Sequence, residues 1–323
     1  MASRKSSRVN PKYKTKYRVG NWPEYERGLR SRGDVTIWFD AEAISAWSPP
    51  NNGRRGGQRR YSNIAIVTAL TVRIVFHLPL RQTEGFVASL LRLMDLDLGV
   101  PDHTTLSRRN KDVNVTLPTR ALDGPIHLIV DSTGLKILGA GEWHSHKHKA
   151  GKARRDWRKL HVGVDAEGFV VATKLTESTV DDASLVPELV EQVDASIERF
   201  TADGAYDRRS VYEEIGKAGT PDVAVVVPPR RAATASTGAA GMWAQRNEHL
   251  KRIDEVGRQQ WLKESGYRKQ AGAENLFMRY KQILGGRLRA KVFEAQQKES
   301  IVGCNALNQM YELGRPRSYA VEA

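Results

Sequence analysis

Cysteine is almost absent from this chain of 323 residues, which contains a single one, Cys304. One cysteine cannot form an intrachain disulfide, and it excludes zinc fingers and iron–sulfur clusters that are built on cysteine ligands. Cys304 lies in an apolar segment with a helical pattern near the end of the sequence. We therefore expect a buried structural thiol rather than a reactive nucleophile.

Long apolar runs are also missing. The longest, residues 64–76, is interrupted by Arg73 and is shorter than the roughly 20 residues needed to cross a bilayer, so we expect a buried helix. Residues 1–20 are polar and basic and do not resemble a signal peptide. The sequence thus predicts a soluble globular protein without a membrane partner, located in the cytoplasm.

What the chain has in excess is positive charge, with a formal net charge of +14. Up to Arg60 there are 14 Lys or Arg residues against five Asp or Glu, a net of +9. Such a surplus predicts a polyanionic partner, and nucleic acid is favoured over a membrane because no basic amphipathic anchor is visible. Residues 1–20 hold seven Lys or Arg and no acid, so we interpret them as a flexible basic arm that contacts DNA; a solvated tail is the alternative.

The periodicity of apolar residues changes near residue 123. Residues 21–122 are predicted to form a mainly helical region, with helices at 40–47, 64–77, 82–94 and 102–110 and a Gly-rich basic loop at 51–60. Beyond it, strands are predicted at 127–130, 159–164, 169–175, 197–201 and 223–227, and helices at 183–193, 208–218 and 271–284. A hairpin of strands followed by helical crossovers predicts an α/β fold with a mixed five-stranded sheet and flanking helices.

Two acids follow strands of this predicted sheet. Asp131 lies at the predicted end of the first strand, and Asp203 lies just past the fourth. If those strands are neighbours, both carboxylates emerge at one edge, where their mutual repulsion requires a bridging cation. Oxygen ligands without a cysteine partner suit Mg²⁺ or Mn²⁺. The alternative is that each Asp is an ordinary turn or helix N-cap residue.

A third ligand is predicted on the helix at 271–284, where Glu274 is the best candidate. Lys281 lies seven residues further on, two helical turns away and therefore on the same face as Glu274. An acid and a base with this spacing can address a metal and a phosphate side by side. A solvated surface glutamate is the alternative, but three acids at predicted positions within a basic chain favour the metal site.

At these residues the sequence resembles the DDE transposases of bacterial insertion sequences, in the group named after insertion sequence five. The family signature is Tyr, two residues, Arg, three residues, Glu, six residues, Lys, and the chain matches it with Tyr267, Glu274 and Lys281. It departs from the signature at Gln270, where the family has Arg, and Arg268 is the candidate replacement. The resemblance covers about residues 20–315 through the segments 81–85, 101–107, 131–134, 157–161 and 201–207.

The resemblance implies a ribonuclease-H-like DDE catalytic domain at residues 123–300, with a helical insert at 228–266. The helical region at 21–122 would then bind DNA, after the basic arm at 1–20, and a C-terminal tail would follow at 301–323. It also implies that Asp131, Asp203 and Glu274 are catalytic and hold two Mg²⁺ or Mn²⁺ ions. The enzyme would cleave transposon ends by hydrolysis and join the 3′-hydroxyl to target DNA.

The implied partner is double-stranded DNA, both transposon ends and target, held at the nucleoid by a homodimer or higher multimer. The candidate DNA contacts are Lys281, Tyr267, Arg268, Arg158, Lys159, Arg108, Arg109, Arg59 and Arg60. For Arg158 and Lys159, solvation at the edge of a strand is the alternative. The paired arginines at 108 and 109 fit a helix-turn-helix unit or ordinary helix packing.

Several further features have two interpretations. His144, His146 and His148 fit a zinc site, although an exposed basic loop near DNA is favoured. Trp243 fits stacking on an extruded base, although helix packing is favoured. Asp181 and Asp182 are interpreted as a helix start rather than as ligands. For the whole protein, the rival functions are a structure-specific nuclease of the same fold and a non-catalytic DNA-binding descendant of a transposase.

Overall fold

The computed structural model describes residues 17–50, 53, 58–118, 124–137 and 157–321. Most of the predicted basic arm, most of the Gly-rich loop and the three alternating histidines lie outside these residues. The chain divides into two compact units, one formed by residues 1–37 with 309–323 and the other by residues 38–308. The domain boundaries predicted at residues 20, 122 and 300 stay predictions.

The smaller unit joins the beginning of the chain to its end. Strand β1 (Tyr17–Val19) pairs antiparallel with a strand at Ser318–Ala320, and helix α1 (Trp22–Ser31) follows β1. The side chain of Asn21 donates to the carbonyl of Arg315 at 2.9 Å and accepts from the N–H of Arg317 at 2.7 Å. A Cβ at Gly28 would come within 2.7 Å of the carbonyl oxygen of Leu313, so this close approach needs glycine.

The first part of the larger unit is helical, as predicted. Its helices are α2 (Ala41–Ser45), α3 (Asn63–Val75), α4 (Leu80–Leu93) and α5 (His103–Arg109). The side chains of Asp40, Ser62 and Asp102 accept backbone N–H groups at the starts of α2, α3 and α5, which satisfies donors that the helices leave unpaired. Helix α3 is largely buried, as its apolar sequence predicts.

No single helix in the described ranges is long and apolar enough to cross a membrane; α3 and α4, bent by 110° at their junction, meet that length and composition only as a pair.

A mixed sheet forms the second part of the larger unit. Its strands are β2 (Ile126–Ile137), β3 (Trp157–Val164), β4 (Val170–Glu177), β5 (Ile197–Thr201), β6 (Gly219–Val226) and the two-residue β7 (Arg287–Leu288). The order is β4-β3-β2-β5-β6, with β7 beside the end of β2. Strand β2 is antiparallel to β3 and parallel to β5, and β6 is parallel to β5. This confirms the predicted α/β fold with a mixed sheet, to which β7 adds a short sixth strand.

Helices lie on both faces of this sheet. They are α6 (Val186–Val190), α7 (Arg209–Ala218), α8 (Ala244–Val256), α9 (Arg258–Glu264), α10 (Ala271–Ile283) and α11 (Phe293–Glu312), and the strand at Ser318–Ala320 is β8. Along β2, the even-numbered residues Leu128 and Val130 pack in one core with α6 and α7. The odd-numbered Ile129 and Thr133 face α10, as the alternation of a strand requires.

One predicted helix is interrupted in the structure. The helix expected at 183–193 is a 3₁₀ turn, Asp182–Leu185, followed by α6, which ends at Val190. Pro187 explains the break, because it lacks the N–H that a continuous helix would donate to the preceding turn. Cys304 is fully buried, which confirms the expectation of a structural thiol.

Candidate active site

Asp131 lies within a strand rather than at the end of one. Strand β2 was predicted to stop at Asp131, and this is wrong, because antiparallel pairing with β3 keeps the chain extended to Lys136. The parallel neighbour β5 pairs with β2 only as far as Ile129, opposite Thr201. Asp131 is therefore two residues beyond the last parallel pair, where one side of the strand is no longer covered.

Asp203 occupies the equivalent place on β5. It lies two residues beyond Thr201, the partner of Ile129, so the register gives both acids the same offset from one pair. Its Oδ1 accepts the N–H of Ala205 at 2.8 Å and caps the 3₁₀ turn Gly204–Tyr206. The capping role weighed as an alternative is thus present, and it fixes the carboxylate at the edge of the sheet.

Glu274 lies in the first turn of α10 and is exposed. Two hydrogen bonds attach its helix to β2 on either side of Asp131. Before Glu274, the side-chain N–H of Gln270 donates to the carbonyl of Val130 at 3.1 Å. After it, Lys281 Nζ donates to Oγ1 of Thr133 at 2.7 Å. Lys281, predicted to share a helix face with Glu274, thus reaches β2, and the role of Glu274 as a ligand stays a prediction.

The electrostatics connect the three acids. Burial raises the pKa of Asp131 to about 6, and the negative charges of Asp203, Glu274 and Asp182 add to the rise, against a lowering contribution from the N–H of Ser132. The pKa of Tyr267 rises to about 12 through burial and through the charges of the same three predicted acids. All three predicted acids therefore lie close enough to Tyr267 to raise the pKa of its hydroxyl.

The donor set fits a hard divalent cation, because carboxylate oxygens that repel one another are stabilised by Mg²⁺ or Mn²⁺. Within the described ranges, no group of three or more His, Cys, Asp or Glu side chains is assembled closely enough to hold a metal as it stands. Two buried polar atoms beside the acids, the Tyr206 hydroxyl and Gln270 Oε1, have no hydrogen-bond partner in the described part of the chain. The three carboxylates are the kind of oxygen ligand that Mg²⁺ and Mn²⁺ prefer, and their role as metal ligands stays a prediction.

The predicted DNA contacts differ in how available their charges are. Arg268 and Lys281 are exposed. Arg158, in contrast, donates to Glu177 at 2.7 Å and to Gln296 at 3.1 Å, and Lys159 donates to Asp182 at 3.1 Å. Their role in DNA binding stays a prediction.

The arginines of the helical region are similarly divided. Arg109 donates to the carbonyl of Tyr61 at 3.0 Å and to Oδ1 of Asn63 at 2.6 Å, which joins α5 to the start of α3. Arg108, Arg59 and Arg60 are exposed. These three keep their charges at the surface, where contact with DNA stays a prediction.

Sequence reasoning set aside Asp182, which lies in the neighbourhood of the acids. It receives a hydrogen bond from Lys159, lies 3.5 Å from the buried His161 and contributes to the raised pKa of Asp131. Asp181 occupies an N-cap position without a capping bond and instead pairs with Arg208 at 2.7 Å. Two acids after a strand are equally typical of a helix start, so the sequence carried no signal that separated the two roles.

Trp243 packs as the favoured interpretation requires. Its ring meets Tyr212 edge-on at 5.0 Å, the guanidinium of Arg246 lies 4.8 Å from its centroid, and its Nε1 donates to Ser236 at 3.2 Å. Arg246 in turn forms a buried pair with Asp207, four residues after Asp203. The predicted insert is thus bonded to the residue that ends the 3₁₀ turn after Asp203.

Comparison with known proteins gives three findings. The family model described as "Transposase DDE domain" matches residues 123–309, and a second model with the same description matches residues 30–140. An uncharacterized protein of Aquifex aeolicus (strain VF5) is 27% identical over 255 residues, which cover 70% of this chain and 75% of that protein. A solved structure, the synaptic complex of piggyBac transposase with hairpin DNA, aligns with 91% of this chain and 76% of its own at 11% identity and a TM-score of 0.39.

Proposed function

The chain belongs to the Transposase DDE domain family, and from this premise we propose that it is a DNA transposase with Asp131, Asp203 and Glu274 as its catalytic acids. It binds the terminal inverted repeats of its transposon at the nucleoid and cleaves their ends by metal-dependent hydrolysis. It then joins the 3′-hydroxyl to target DNA, and a homodimer or higher multimer holds the two ends together.

One observation carries this proposal, the register that pairs Ile129 with Thr201. It gives Asp131 and Asp203 the same offset on neighbouring parallel strands, so both emerge at one edge of the sheet. The bonds from Gln270 and Lys281 to β2 hold the helix of Glu274 against the same edge. The strand order, three antiparallel strands followed by two parallel crossovers, supports the ribonuclease-H-like fold that the resemblance implies.

The roles of the chain's own residues follow from charge and position. Asp131, Asp203 and Glu274 would hold one or two divalent cations. Such ions, when bound, stabilise the charge on the attacking and leaving oxygens of an in-line displacement at phosphorus. Lys281, on the same helix as Glu274, and Arg268, in the turn before that helix, are exposed cations that would hold the DNA backbone beside the acids.

The test is strand cleavage and joining with labelled transposon-end DNA and Mg²⁺. Wild type should cut the ends and join them to a target plasmid, whereas Asp131→Asn, Asp203→Asn and Glu274→Gln should do neither. Asp222→Asn, which alters an exposed aspartate on β6, is the matched control and should retain both activities. Cleavage that persists in Asp203→Asn would remove that residue from the site.

The same assay separates the rival functions. A structure-specific nuclease would cut branched DNA and would not join ends to the plasmid. A non-catalytic DNA-binding protein would bind the ends without cutting them. The shared offset of Asp131 and Asp203 at one edge of the sheet favours an enzyme, because DNA binding alone gives no reason to collect acids where a phosphate must approach.

A further inference from the structure

A cavity of about 500 Å³ opens beside the turn that follows Asp203. Two alanines, Ala232 and Ala233, form part of its wall. Its remaining lining residues are Asp207, Arg208, Arg209, Arg230, Trp243 and Arg246. The lining holds four guanidinium groups and one carboxylate, and two further carboxylates pair with Arg208 and Arg209, so an excess of one positive charge remains to attract an anion.

The four arginines have different tasks. Arg246 is largely buried and makes two bonds to the carboxylate of Asp207, at 2.7 and 3.2 Å. This buried pair stabilises the wall of the cavity. Arg208, Arg209 and Arg230 are exposed and surround the opening.

The ion pairs of Arg208 and Arg209 are weak enough for another anion to replace the carboxylate. Arg208 pairs with Asp181 and Arg209 with Glu213, each at 2.7 Å, and all four side chains are about half exposed or more. Exposed pairs of this kind contribute about 0–1 kcal/mol. An incoming phosphate can therefore replace either carboxylate at little cost.

The cavity is adjacent to the candidate catalytic edge in the chain. Asp207, one of its lining residues, is four residues beyond Asp203, across one 3₁₀ turn. A DNA strand carries one phosphate per roughly 3.4 Å of helix axis, so several phosphates lie within a few nucleotides of the scissile one. A backbone phosphate near the cleaved end is therefore the anion of the proposed substrate that suits this cavity.

We propose that Arg208, Arg209 and Arg230 form a subsite for a DNA backbone phosphate near the cleaved end. This inference rests on the proposed function, whose substrate strand it locates. An extruded base is the competing occupant, and the structure disfavours it. The ring of Trp243 already packs against the guanidinium of Arg246 and the ring of Tyr212, and these contacts compete with stacking on a base.

Binding of full-length protein to transposon-end DNA, measured by fluorescence anisotropy in EDTA over a salt series, tests the subsite without requiring cleavage. The variant is Arg208→Gln/Arg209→Gln/Arg230→Gln. Its matched control, Lys217→Gln/Arg231→Gln/Lys251→Gln, removes three exposed charges that do not line the cavity. Because these side chains lie at the surface, we expect both proteins to keep the thermal transition of wild type, and Arg230→Gln alone serves as the milder variant.

We expect the slope of log affinity against log salt to fall in magnitude by about 0.9 for one lost phosphate contact, and by less in the control. A single neutral methylphosphonate near the cleaved end should weaken wild type and leave the variant unchanged. Equal slopes in the variant and the control overturn the subsite. An abasic nucleotide that weakens wild type alone, with no methylphosphonate doing so, overturns it in favour of a base. Wild type that binds the ends but never cuts them with Mg²⁺ defeats the proposed function separately.

Discussion

Lys281 donates a hydrogen bond of 2.7 Å from Nζ to Oγ1 of Thr133, two residues beyond Asp131 on the central strand. At the other end of the same stretch, Gln270 donates to the carbonyl of Val130. Glu274 lies between these two bonds along its helix. These two bonds hold the helix of Glu274 against β2, the strand that carries Asp131.

The bond from Lys281 predicts a loss of activity when its head group is removed. Lys281→Met keeps the aliphatic stem but removes the charge and the bond to Thr133. We expect single-turnover cleavage to slow by about 10²-fold, because small displacements at a phosphoryl-transfer site have effects of that size. Lys263→Met, on an exposed lysine of α9, is the control and should cleave at the wild-type rate. A wild-type rate in Lys281→Met would mean that the bond has no part in placing Glu274.

The bond from Gln270 to Val130 predicts that a substitution that removes it lowers the stability of the fold. The side chain of Gln270 is buried, and Gln270→Leu leaves the carbonyl of Val130 without that donor. We expect the free energy of unfolding to fall by about 1–3 kcal/mol in urea titration. Gln282→Leu, on an exposed glutamine of the same helix, should change it by less than about 0.5 kcal/mol. Equal stabilities for the two variants would show that the bond to β2 is replaced by water.

The sequence was sufficient to predict most of the helices and strands and to propose three acids as a site. Asp131 and Asp203 were each visible in the sequence as a carboxylate that follows an apolar run. Glu274 and Lys281 were visible through the seven-residue spacing of a helix. These are local patterns, and a local pattern survives in any fold that buries the same apolar faces.

Other features depend on contacts between distant segments, which single-sequence patterns do not contain. The extension of β2 to Ile137 depends on β3 and β7, since no apolar run marks it. Two expected DNA contacts, Arg158 and Lys159, pair instead with Glu177 and Asp182. Pairing of the chain's two ends through β1 and β8 likewise has no signature in sequence.

The raised pKa of Asp131 predicts a pH-dependent penalty in the metal-free protein. A folded-state pKa of about 6, above the ordinary value of 3.8, means that the ionised form is disfavoured on folding. The penalty is absent below about pH 4 and complete above about pH 6. Asp131→Asn should therefore raise the free energy of unfolding in EDTA at pH 7.5, by about 1–2 kcal/mol after allowing for partial exposure, and should not raise it at pH 4. A gain of equal size at both values would point to packing instead.

The same carboxylate predicts how metal binding depends on pH. Mg²⁺ should raise the melting temperature at pH 7.5, because it binds the folded acids and relieves their repulsion. The effect should fade as pH drops through about 6, since Asp131 then takes up a proton. Asp131→Asn should show little Mg²⁺ effect at either pH, while Asp222→Asn should behave as wild type. A shift that persists at pH 5 in wild type would place the cation elsewhere.

Among the ion pairs of the described residues, Asp207–Arg246 is distinguished by burial of both partners, whose side chains are only 1% and 10% exposed. Asp207→Ala leaves the guanidinium of Arg246 buried without its counter-charge, which costs about 3–5 kcal/mol in the free energy of unfolding. Asp207→Ala/Arg246→Met should cost less than the two single changes together, since no isolated charge remains. Urea titration of the four proteins measures this coupling. The pair Arg252–Glu264, at 2.8 Å but 47% and 35% exposed, should couple by less than about 1 kcal/mol. Equal coupling in both pairs would mean that water reaches Asp207. A solvated ion pair of that kind could not hold the turn after Asp203 in place.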